Sequence, residues 1–371
     1  MKILYVATVS GTINAFLIPH IKMILDAGHT VDVACSITSP ISYKIYDYGC
    51  NVHEINFCRS PLSRKNIQAY KDLKKLIING QYDLVHTHTP VASTCVRIGC
   101  RKMKNVKIVY TAHGFHFYKG SLLKNWLIYY PIEKWLSRYT DCLITINEED
   151  YNIAIQKNFK ANEIKKVHGV GVDLNKLEFQ NTEEKLKIRK EYGYLEEDFI
   201  LFYAAELNYN KHQDLLINSI SILREKIPNI KLLLAGSGIM ESQYKAQAEK
   251  LAIHNNIEFL GHRKDVPKLL KLSDIVVASS RREGLPVNVM EAMVTGLPLV
   301  VTNVRGHRDL VKDGENGYII ELDDVEDFAN SIEKLYRDDK LRIEFGKRGI
   351  KLVQKYSLEN VLKEMQGIYK L

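Results

Sequence analysis

Residues 275–293 read IVVASSRREGLPVNVMEAM, and along this stretch the residue types change from apolar to polar and back to apolar at helical spacing. The pattern predicts a buried strand at Ile275–Ala278, a loop, and a helix at Val287–Thr295. Gly284 tolerates conformations and close approaches that a β-carbon forbids, and Pro286 suits the start of a helix because its missing N–H costs nothing there. The first turn of that helix presents free N–H groups and a partial positive charge, which favour a diphosphate.

The same alternation of strand and helix runs along the whole chain and restarts once. The first series has predicted strands at Ile3–Ala7, Thr30–Ala34, Asn51–Ile55, Leu84–Thr87, Lys107–Thr111 and Cys142–Ile146. The second series has predicted strands at Phe199–Ala204, Lys231–Ala235, Ile257–Leu260, Ile275–Ala278, Leu299–Thr302 and Gly317–Ile320. Strands that alternate with helices in this way indicate a parallel sheet covered on both faces.

We therefore predict an α/β protein with two doubly wound, Rossmann-like domains, residues 1–175 and 176–356, that face each other across an interdomain cleft. The length of 371 residues suits two domains of about 150–200 residues each. A polar, irregular stretch puts the hinge near Val172–Leu177, and the amphipathic segment 357–371 is expected to pack back toward the N-terminal domain. Ligands of such sheets bind at the carboxyl ends of the strands, so we expect the site in the cleft.

The composition excludes several classes of protein. The net charge of +8 is mild for a chain of this size and forms no basic stripe, so we expect no nucleic-acid partner; it fits anionic phosphates or an anionic membrane leaflet. The six cysteines have no zinc spacing. The N-terminus turns polar too quickly for a signal peptide, and no apolar run approaches the roughly 18 to 20 residues of a spanning helix. These features predict a cytoplasmic protein with reduced thiols.

The first strand leads into Ser10-Gly11-Thr12 rather than into the Gly-x-Gly-x-x-Gly of a dinucleotide fold. The second strand also lacks the acidic end residue of that fold, because it ends at Cys35-Ser36. Both differences argue against a dehydrogenase. Gly11 either lets the backbone approach a bound group or is a plain turn glycine.

Lysine and histidine side chains follow several of the predicted strands. Lys211 comes after Phe199–Ala204, where it can neutralise a leaving diphosphate, unless it is an ordinary surface lysine. His113 comes after Lys107–Thr111, and a neutral imidazole can hydrogen-bond a hydroxyl through either nitrogen. His86 and His88 alternate on one strand, so we expect them to face opposite sides, one of them being structural.

Taken together, several motifs resemble glycosyltransferase family 4, in its branch that builds capsular and exopolysaccharide repeat units. Two glutamates, Glu283 and Glu291, are separated by seven residues, with Gly-Leu-Pro between them and Glu-Ala-Met at the end. The resemblance extends over nearly the whole chain through GLPLVVT at 296–302, DGENG at 313–317, YTAHGFHFYKG at 110–120 and DLVHTHTP at 83–90. It implies the GT-B fold, a retaining reaction and a nucleotide-sugar donor.

The resemblance also implies roles for single residues. In the family the first glutamate contacts the donor sugar and the second the nucleoside ribose, roles that fall on Glu283 and Glu291. The backbone of the intervening loop is expected to meet the sugar or phosphate, and the expected donor-side residues there are Gly284, Leu285, Pro286 and Val287. His113 corresponds to the family's histidine near the 6-position of the donor. Gly11 is expected near the donor phosphates, and the expected acceptor-side residues are Thr12, His88 and His116.

One position departs from the family pattern. The family usually pairs the lysine at Lys211 with an arginine, and this sequence has Glu206 at the arginine's place. The phosphate site therefore has either one cation or a substitute, for which Arg281 and Arg282 are the candidates.

Basic and aromatic residues mix between Lys119 and Tyr139. Rings together with cations suit a membrane interface. An aromatic helix packed on its own sheet is the alternative.

The resulting hypothesis is a retaining hexosyl- or N-acetylhexosaminyltransferase that uses a UDP-sugar and a polyprenyl-diphosphate-linked saccharide at the inner leaflet, peripherally attached to the cytoplasmic membrane. The N-terminal domain would bind the acceptor and the C-terminal domain the nucleotide-sugar. No Asp-x-Asp motif is present, so we expect neither an essential metal nor another cofactor. The alternatives are a nucleotide-sugar 2-epimerase of the same fold and a non-catalytic sugar-nucleotide sensor or assembly partner.

Overall fold

The computed structural model describes residues 1–61, 63–176, 179 and 181–370. The chain forms two compact units, one of Met1–Gly171 with Glu359–Leu371 and the other of Val172–Leu358. The first change of unit falls a few residues before the predicted boundary, and Leu177, the end of the predicted hinge, lies outside the described residues. At the crossing, Val172 pairs with Ser357 and accepts a hydrogen bond of 2.8 Å from the N–H of Leu358. The chain segments around Val172 and Ser357 therefore run side by side within the second unit.

The first unit is built on a seven-stranded parallel sheet with the order β3-β2-β1-β4-β5-β6-β7. Its strands are β1 (Lys2–Val9), β2 (Thr30–Ser36), β3 (Val52–Glu54), β4 (Leu84–His88), β5 (Lys107–Ala112), β6 (Cys142–Thr145) and β7 (Glu163–Lys166). Its helices are α1 (Ser10–Thr12), α2 (Ile18–Asp26), α3 (Tyr43–Asp47), α4 (Lys65–Gly80), α5 (Pro90–Cys100), α6 (Leu123–Leu136) and α7 (Glu148–Gln156). A π-helical segment (Ile13–Leu17) joins α1 to α2, and a 3₁₀ turn (Ser137–Tyr139) follows α6.

The second unit repeats the plan with a six-stranded parallel sheet in the order β10-β9-β8-β11-β12-β13. Its strands are β8 (Phe199–Ala204), β9 (Ile230–Ala235), β10 (Ile257–Gly261), β11 (Ile275–Ala278), β12 (Leu299–Thr302) and β13 (Gly317–Ile320). Its helices are α8 (Thr182–Tyr192), α9 (Gln213–Leu223), α10 (Glu241–Lys250), α11 (Val266–Leu272), α12 (Val287–Thr295), α13 (Arg305–Leu310), α14 (Val325–Arg337) and α15 (Asp339–Val353), with 3₁₀ turns at His254–Asn256 and Gln354–Tyr356. Two parallel α/β sheets confirm the predicted fold class.

Both sheets are sandwiched between layers of helices, and this explains why their central strands are apolar on both faces. In β1 only the first of eight residues is partly exposed, and the four residues of β11 and the four of β12 are all buried. Parallel strands covered on both sides read as continuous apolar runs rather than as alternating ones. The polar functional residues are therefore confined to the ends of the strands.

The last helix, α16 (Leu358–Tyr369), packs on the first unit. The hydroxyl of buried Tyr369 lies 2.6 Å from the hydroxyl of Tyr5 and also contacts Nδ1 of His86. Nearer the start of the helix, Glu364 accepts from the backbone N–H of His168 at 3.0 Å. Buried hydrogen bonds thus hold the end of the chain against the first sheet.

The connection after β1 differs from the predicted turn. Ser10, Gly11 and Thr12 form the short helix α1, which continues through the π-helical segment into α2. Gly28 follows the end of α2 with a φ of 79°, the left-handed conformation that commonly terminates a helix and that glycine adopts without strain.

Candidate functional site

The centre of the candidate site in the second unit is an ion pair between two loops. Lys211 lies in the loop after β8, and Glu283 lies in the loop after β11. Because β8 and β11 are neighbours in the parallel sheet, both loops start at the same edge. Nζ of Lys211 is 2.6 Å from Oε1 of Glu283, and the two side chains are 22% and 13% exposed. Two residues predicted separately from the sequence are therefore direct partners.

Both members of the pair, Lys211 and Glu283, are ionised. Burial by itself would raise the pKa of Glu283, but the charge of Lys211 and the hydrogen bonds from Lys211 and Ser280 outweigh it and lower that pKa. Burial likewise opposes the charge of Lys211, yet Glu283 raises the lysine pKa well above its ordinary value. A lysine and a carboxylate that keep their charges in a largely dry site give strong, local electrostatics.

A chain of hydroxyl groups orients the carboxylate. Oγ of Ser280 donates to Oε1 of Glu283 at 2.6 Å, and the hydroxyl of Tyr203 lies 2.8 Å from Oγ of Ser280. Since the serine hydrogen is used on Glu283, Tyr203 is the donor to Ser280. Burial raises the pKa of Tyr203 to about 12, so this phenol keeps its proton. Neither Tyr203 nor Ser280 was among the residues predicted from the sequence.

The start of helix α13, which follows β12 after a two-residue connection, contacts the loop of Glu283. Nε of Arg305 donates to the carbonyl of Glu283 at 2.9 Å. At Gly306 a β-carbon would lie 2.6 Å from the carbonyl oxygen of Gly284, so a larger residue would displace the glutamate loop. Sequence reasoning missed the role of this segment. Its position directly after β12, the neighbour of β11, was the available signal.

The neighbouring residue His307, also in α13, has a defined protonation state. Its Nδ1 lies 2.8 Å from the carbonyl of Thr302, which can only accept, so Nδ1 carries the hydrogen and Nε2 is the unprotonated nitrogen. Nε2 is buried and has no hydrogen-bond partner among the described residues. Burial lowers the histidine pKa to about 4. The ring is therefore a neutral group beside the charged pair.

Helix α12 starts directly after Pro286, which sits at the N-cap position and supplies no side-chain cap. Nδ2 of Asn288 donates to the carbonyl of Ala204 at 2.9 Å, which fixes the start of the helix to the end of β8. Leu285 and Pro286 are buried. The predicted anion-binding helix start thus lies beside the carboxyl end of the central strand.

Glu291, further along α12, is a carboxylate without a hydrogen bond or ion pair in the described part of the chain. Burial raises its pKa to about 7, and the charge of Lys176 opposes the shift only partly. A buried carboxyl group with a strongly raised pKa is typical of functional sites.

The two candidate substitute cations differ in their surroundings. Arg281 donates to Asp323 at 2.9 Å, and its guanidinium lies over the ring of Tyr209 and near Asp214. The side chain of Arg282 has no hydrogen bond or ion pair within the described residues, and only its carbonyl accepts, from Asn210. This arrangement favours Arg282 over Arg281 as the second cation.

In the first unit, histidine rings cluster at the ends of β4 and β5. The rings of His86 and His88 are 4.1 Å apart, so the prediction that they face opposite sides is wrong. Side chains two residues apart in a strand lie on the same face, because the pleat repeats every two residues. Nδ1 of His88 lies 3.1 Å from Nε2 of His113, and His86 bonds Thr111 and Tyr369. His86 is thus held by protein groups, whereas His88 contacts the predicted sugar-binding histidine.

The histidines of this cluster are neutral at physiological pH. Burial lowers the pKa values of His86 and His88 far below the usual value, and neighbouring histidines add to the shift. The same causes lower the pKa of His113 to about 4. Nε2 of His88 is buried and has no hydrogen-bond partner among the described residues.

The other predicted residues of the first unit lie in more open positions. Gly11 is exposed, and a β-carbon there would have no atom within 4 Å, so no packing or backbone reason requires glycine. Thr12 is half-buried in the same short helix. The ring of His116 stacks on Tyr129 with their centroids 4.6 Å apart. The roles of Gly11, Thr12 and His116 stay predictions.

Over the described ranges, no group of three or more histidine, cysteine or carboxylate residues is arranged to hold a metal ion. All six cysteines are free thiols. No helix within the same ranges combines the length and apolar character needed to cross a membrane.

Two parallel sheets, each with polar residues gathered at its carboxyl edge, are the architecture of nucleotide-sugar-dependent transferases. Residues 184–352 match the family model described as glycosyl transferases group 1, and residues 2–147 match the one described as glycosyl transferase 4-like. The chain belongs to family 4 of the glycosyltransferases and has the GT-B fold.

Particular relatives are similar over nearly their whole length. The chain is 42% identical to the glycosyltransferase EpsD of Bacillus subtilis (strain 168), over 99% of this chain and 96% of EpsD. It is 27% identical to the Escherichia coli UDP-Gal:alpha-D-GlcNAc-diphosphoundecaprenol alpha-1,3-galactosyltransferase, with 91% and 88% covered. It is 28% identical to CapM, a capsular polysaccharide biosynthesis glycosyltransferase of Staphylococcus aureus, with 82% and 83% covered.

Solved structures share the fold. The structure of Anabaena HepE in complex with UDP superposes with a TM-score of 0.80 at 20% identity, covering 100% of both chains. Sucrose-phosphate synthase of Thermosynechococcus elongatus superposes with a TM-score of 0.84 at 18% identity, covering 100% of this chain and 98% of the other.

Proposed function

We propose that this glycosyltransferase moves a hexose or N-acetylhexosamine from a UDP-sugar to a polyprenyl-diphosphate-linked saccharide, with retention of configuration, during assembly of a capsular or exopolysaccharide repeat unit. The relative in Escherichia coli is named for a UDP-sugar donor, a diphosphoundecaprenol acceptor and an alpha-linked product, and the relative in Staphylococcus aureus for capsular polysaccharide. The reaction takes place in the cytoplasm at the inner leaflet, with the enzyme peripherally attached to the membrane.

The observation that carries the proposal is the Lys211–Glu283 pair beside the start of α12, where the N-cap residue Pro286 supplies no side-chain cap. The N–H groups of the helix start receive the donor diphosphate, and Lys211 neutralises charge that grows on it as the bond to the sugar breaks. Glu283, ionised and oriented by Ser280, accepts hydrogen bonds from the hydroxyls of the donor sugar. Each group thus binds the part of the donor that its charge suits.

Retention follows from reaction on one face of the sugar. The acceptor oxygen forms its bond to the anomeric carbon on the side from which the diphosphate leaves, and the departing diphosphate oxygen takes the acceptor proton. Glu283, the acid at the centre of the site, forms an ion pair with Lys211. This pairing suits a carboxylate that binds the donor rather than one that attacks the sugar as a nucleophile. The second unit in this proposal binds the nucleotide-sugar.

The first unit binds the acceptor in this proposal, and its His113 contacts the donor sugar. A neutral imidazole exchanges hydrogen bonds with a sugar hydroxyl without adding charge. His88 orients that ring through the contact between Nδ1 of His88 and Nε2 of His113. His116 and Thr12 are the remaining acceptor-side candidates.

A donor screen tests the proposal. The purified protein is incubated with single UDP-sugars and lipid extracts of bacterial membranes, and the lipid-linked products are analysed by mass spectrometry. We expect one lipid-linked product, heavier by one sugar residue, together with release of UDP, and loss of both in Glu283→Gln. A new epimer formed from the UDP-sugar without acceptor identifies a 2-epimerase instead. UDP-sugar binding without any turnover identifies a sensor.

A further inference from the structure

The outward side of helix α6 (Leu123–Leu136) is apolar. Leu123 is 72%, Leu127 68% and Ile128 53% exposed. Leu122, Ile132 and Trp135 are exposed as well. We call the six residues 122, 123, 127, 128, 132 and 135 the α6 face. Its five members within the helix fall on about one half of the circumference.

The inward side of the same helix carries Trp126, Tyr130 and the buried residues Glu133 and Leu136. Trp126 and Tyr130 pack against Phe117 and the core cluster around it. Glu133 is buried, and its Oε2 lies 2.9 Å from Nη2 of Arg97. The rings of Trp126 and Tyr130 are therefore packed on the core of the first unit, as the alternative interpretation of this stretch predicted, whereas Trp135 belongs to the α6 face. A helix of a soluble protein normally faces its apolar side inward, and here large aliphatic side chains face outward.

The charges around the α6 face are basic. Lys119, Lys124 and Arg138 are exposed, and Glu133 is the only acidic residue between Lys119 and Tyr139. At the start of the stretch, Glu149 accepts from the backbone N–H of Lys119. An aliphatic surface flanked by cations complements an anionic lipid surface, which offers apolar chains beneath negative headgroups.

The α6 face is also connected to the proposed acceptor side. The loop that carries His113 and His116 leaves the carboxyl end of β5 and runs directly into α6. His116 stacks on Tyr129 of that helix, and Nε1 of Trp126 donates to the carbonyl of Tyr118 at 3.3 Å. A membrane in contact with the helix would therefore hold a lipid-linked acceptor close to this loop.

We infer that the α6 face is the surface through which the protein docks on an anionic bilayer, with its aliphatic side chains in the interfacial region and the basic residues among the headgroups. This choice of occupant rests on the proposed lipid-linked acceptor. A triple variant, Leu123→Ser, Leu127→Ser and Ile128→Ser, removes the three most exposed members of the face that lie within the helix, without touching the packed side. The matched control changes exposed apolar residues elsewhere, Leu195→Ser with Ile239→Ser, of which Ile239 is 90% exposed.

Vesicle sedimentation measures the docking without any sugar. We expect the unaltered protein to bind phosphatidylglycerol-containing vesicles and to bind pure phosphatidylcholine weakly. The triple variant should bind the anionic vesicles at least about tenfold more weakly, since each aliphatic side chain contributes to the buried area. The control variant should bind like the unaltered protein, and thermal unfolding checks that both variants are folded. Equal binding by the triple variant, or a dimer that the triple substitution converts to a monomer, would overturn the inference.

Transfer assays separate this inference from the proposed function. With a short-chain, water-soluble acceptor analogue, the triple variant should transfer as well as the unaltered protein, and with a vesicle-embedded acceptor it should transfer far less. If the unaltered protein binds anionic vesicles through the α6 face but transfers to neither acceptor, the docking surface stands and the proposed reaction fails.

Discussion

Replacing Lys211 with methionine tests the ion pair at the centre of the site. The change leaves the Glu283 carboxylate in a largely buried position without its cation. Removing one partner of a buried pair costs about 3–5 kcal/mol. The lysine side chain is 22% exposed, and Ser280 still donates to the carboxylate, so we expect the lower end, about 3 kcal/mol. For a unit of this size the melting temperature then falls by roughly 6–12 °C.

The loss of stability in Lys211→Met should depend on pH in a defined direction. With Lys211 present, the pKa of Glu283 is lowered and the carboxylate is charged. In Lys211→Met, burial without the neighbouring cation should raise the Glu283 pKa above its unfolded value of about 4.3. The folded variant then keeps a proton that the unfolded chain releases, so its stability falls as pH rises through the new pKa. The difference from the unaltered protein should be largest at neutral pH and shrink toward acid.

Urea unfolding followed by circular dichroism at about pH 7.5 and about pH 5 measures both effects. Lys187→Met, at an exposed lysine of the same unit, is the matched control and should unfold like the unaltered protein. The double variant Lys211→Met with Glu283→Gln should recover most of the stability but no transfer activity, because it removes the stranded charge and the donor contacts together. A single variant as stable as the unaltered protein at both pH values would refute the reasoning.

Other expectations concern single groups. Burial raises the pKa of Glu291 to about 7, a folded value above the unfolded one, so its stabilising contribution is complete below the unfolded pKa and is lost as pH rises through about 7. At about pH 8 the variant Glu291→Gln should therefore unfold at a higher urea concentration than the unaltered protein, with a free energy of unfolding that is larger by about 3 kcal/mol at most. Its KM for the UDP-sugar should rise. Burial lowers the pKa of His113 and of His307 to about 4, so stability should fall as pH drops from about 6.5 toward 4. His307→Gln should flatten that dependence in urea titrations at several pH values, and an unchanged slope would contradict it. Gly306→Ala brings a β-carbon against the carbonyl of Gly284, so turnover should fall at least about tenfold with unchanged secondary structure by circular dichroism. Transfer should continue in excess EDTA, and a loss that added Mg²⁺ restores would show that a metal is needed.

Much of the sheet architecture could be predicted from residue types alone. The predicted bounds of β8, β11 and β12 agree with the structure, because strands buried on both faces are continuous β-branched and aliphatic runs. β7 (Glu163–Lys166) was missed, since an edge strand of alternating charge and one isoleucine carries no such signal. Helices α14 and α15 were also left out of the prediction, although both are amphipathic.

The individual site residues were partly predictable. Lys211 and Glu283 follow neighbouring strands in a parallel sheet, so their meeting could be anticipated once the strand order was known. His307 could not be singled out, because a histidine next to a glycine has no special meaning until the start of α13 is seen to contact the loop of Glu283. The sequence alone does not distinguish the two arginines that precede Glu283, Arg281 and Arg282. The carboxylate of Asp323, forty-two residues further along, decides which of them is engaged.

The order of residue types along the chain was enough to determine two parallel α/β sheets and the loops that carry chemistry, because strand periodicity and strand-end loops are local properties. Tertiary structure alone decided the partners of those loops: the Lys211–Glu283 pair, the neutral His307 beside it, and the outward aliphatic side of α6. These depend on which distant segments meet and on which side of a helix is covered. The exposure of a side chain and the electric field that sets its charge state depend on all the groups around it, most of which are remote in sequence.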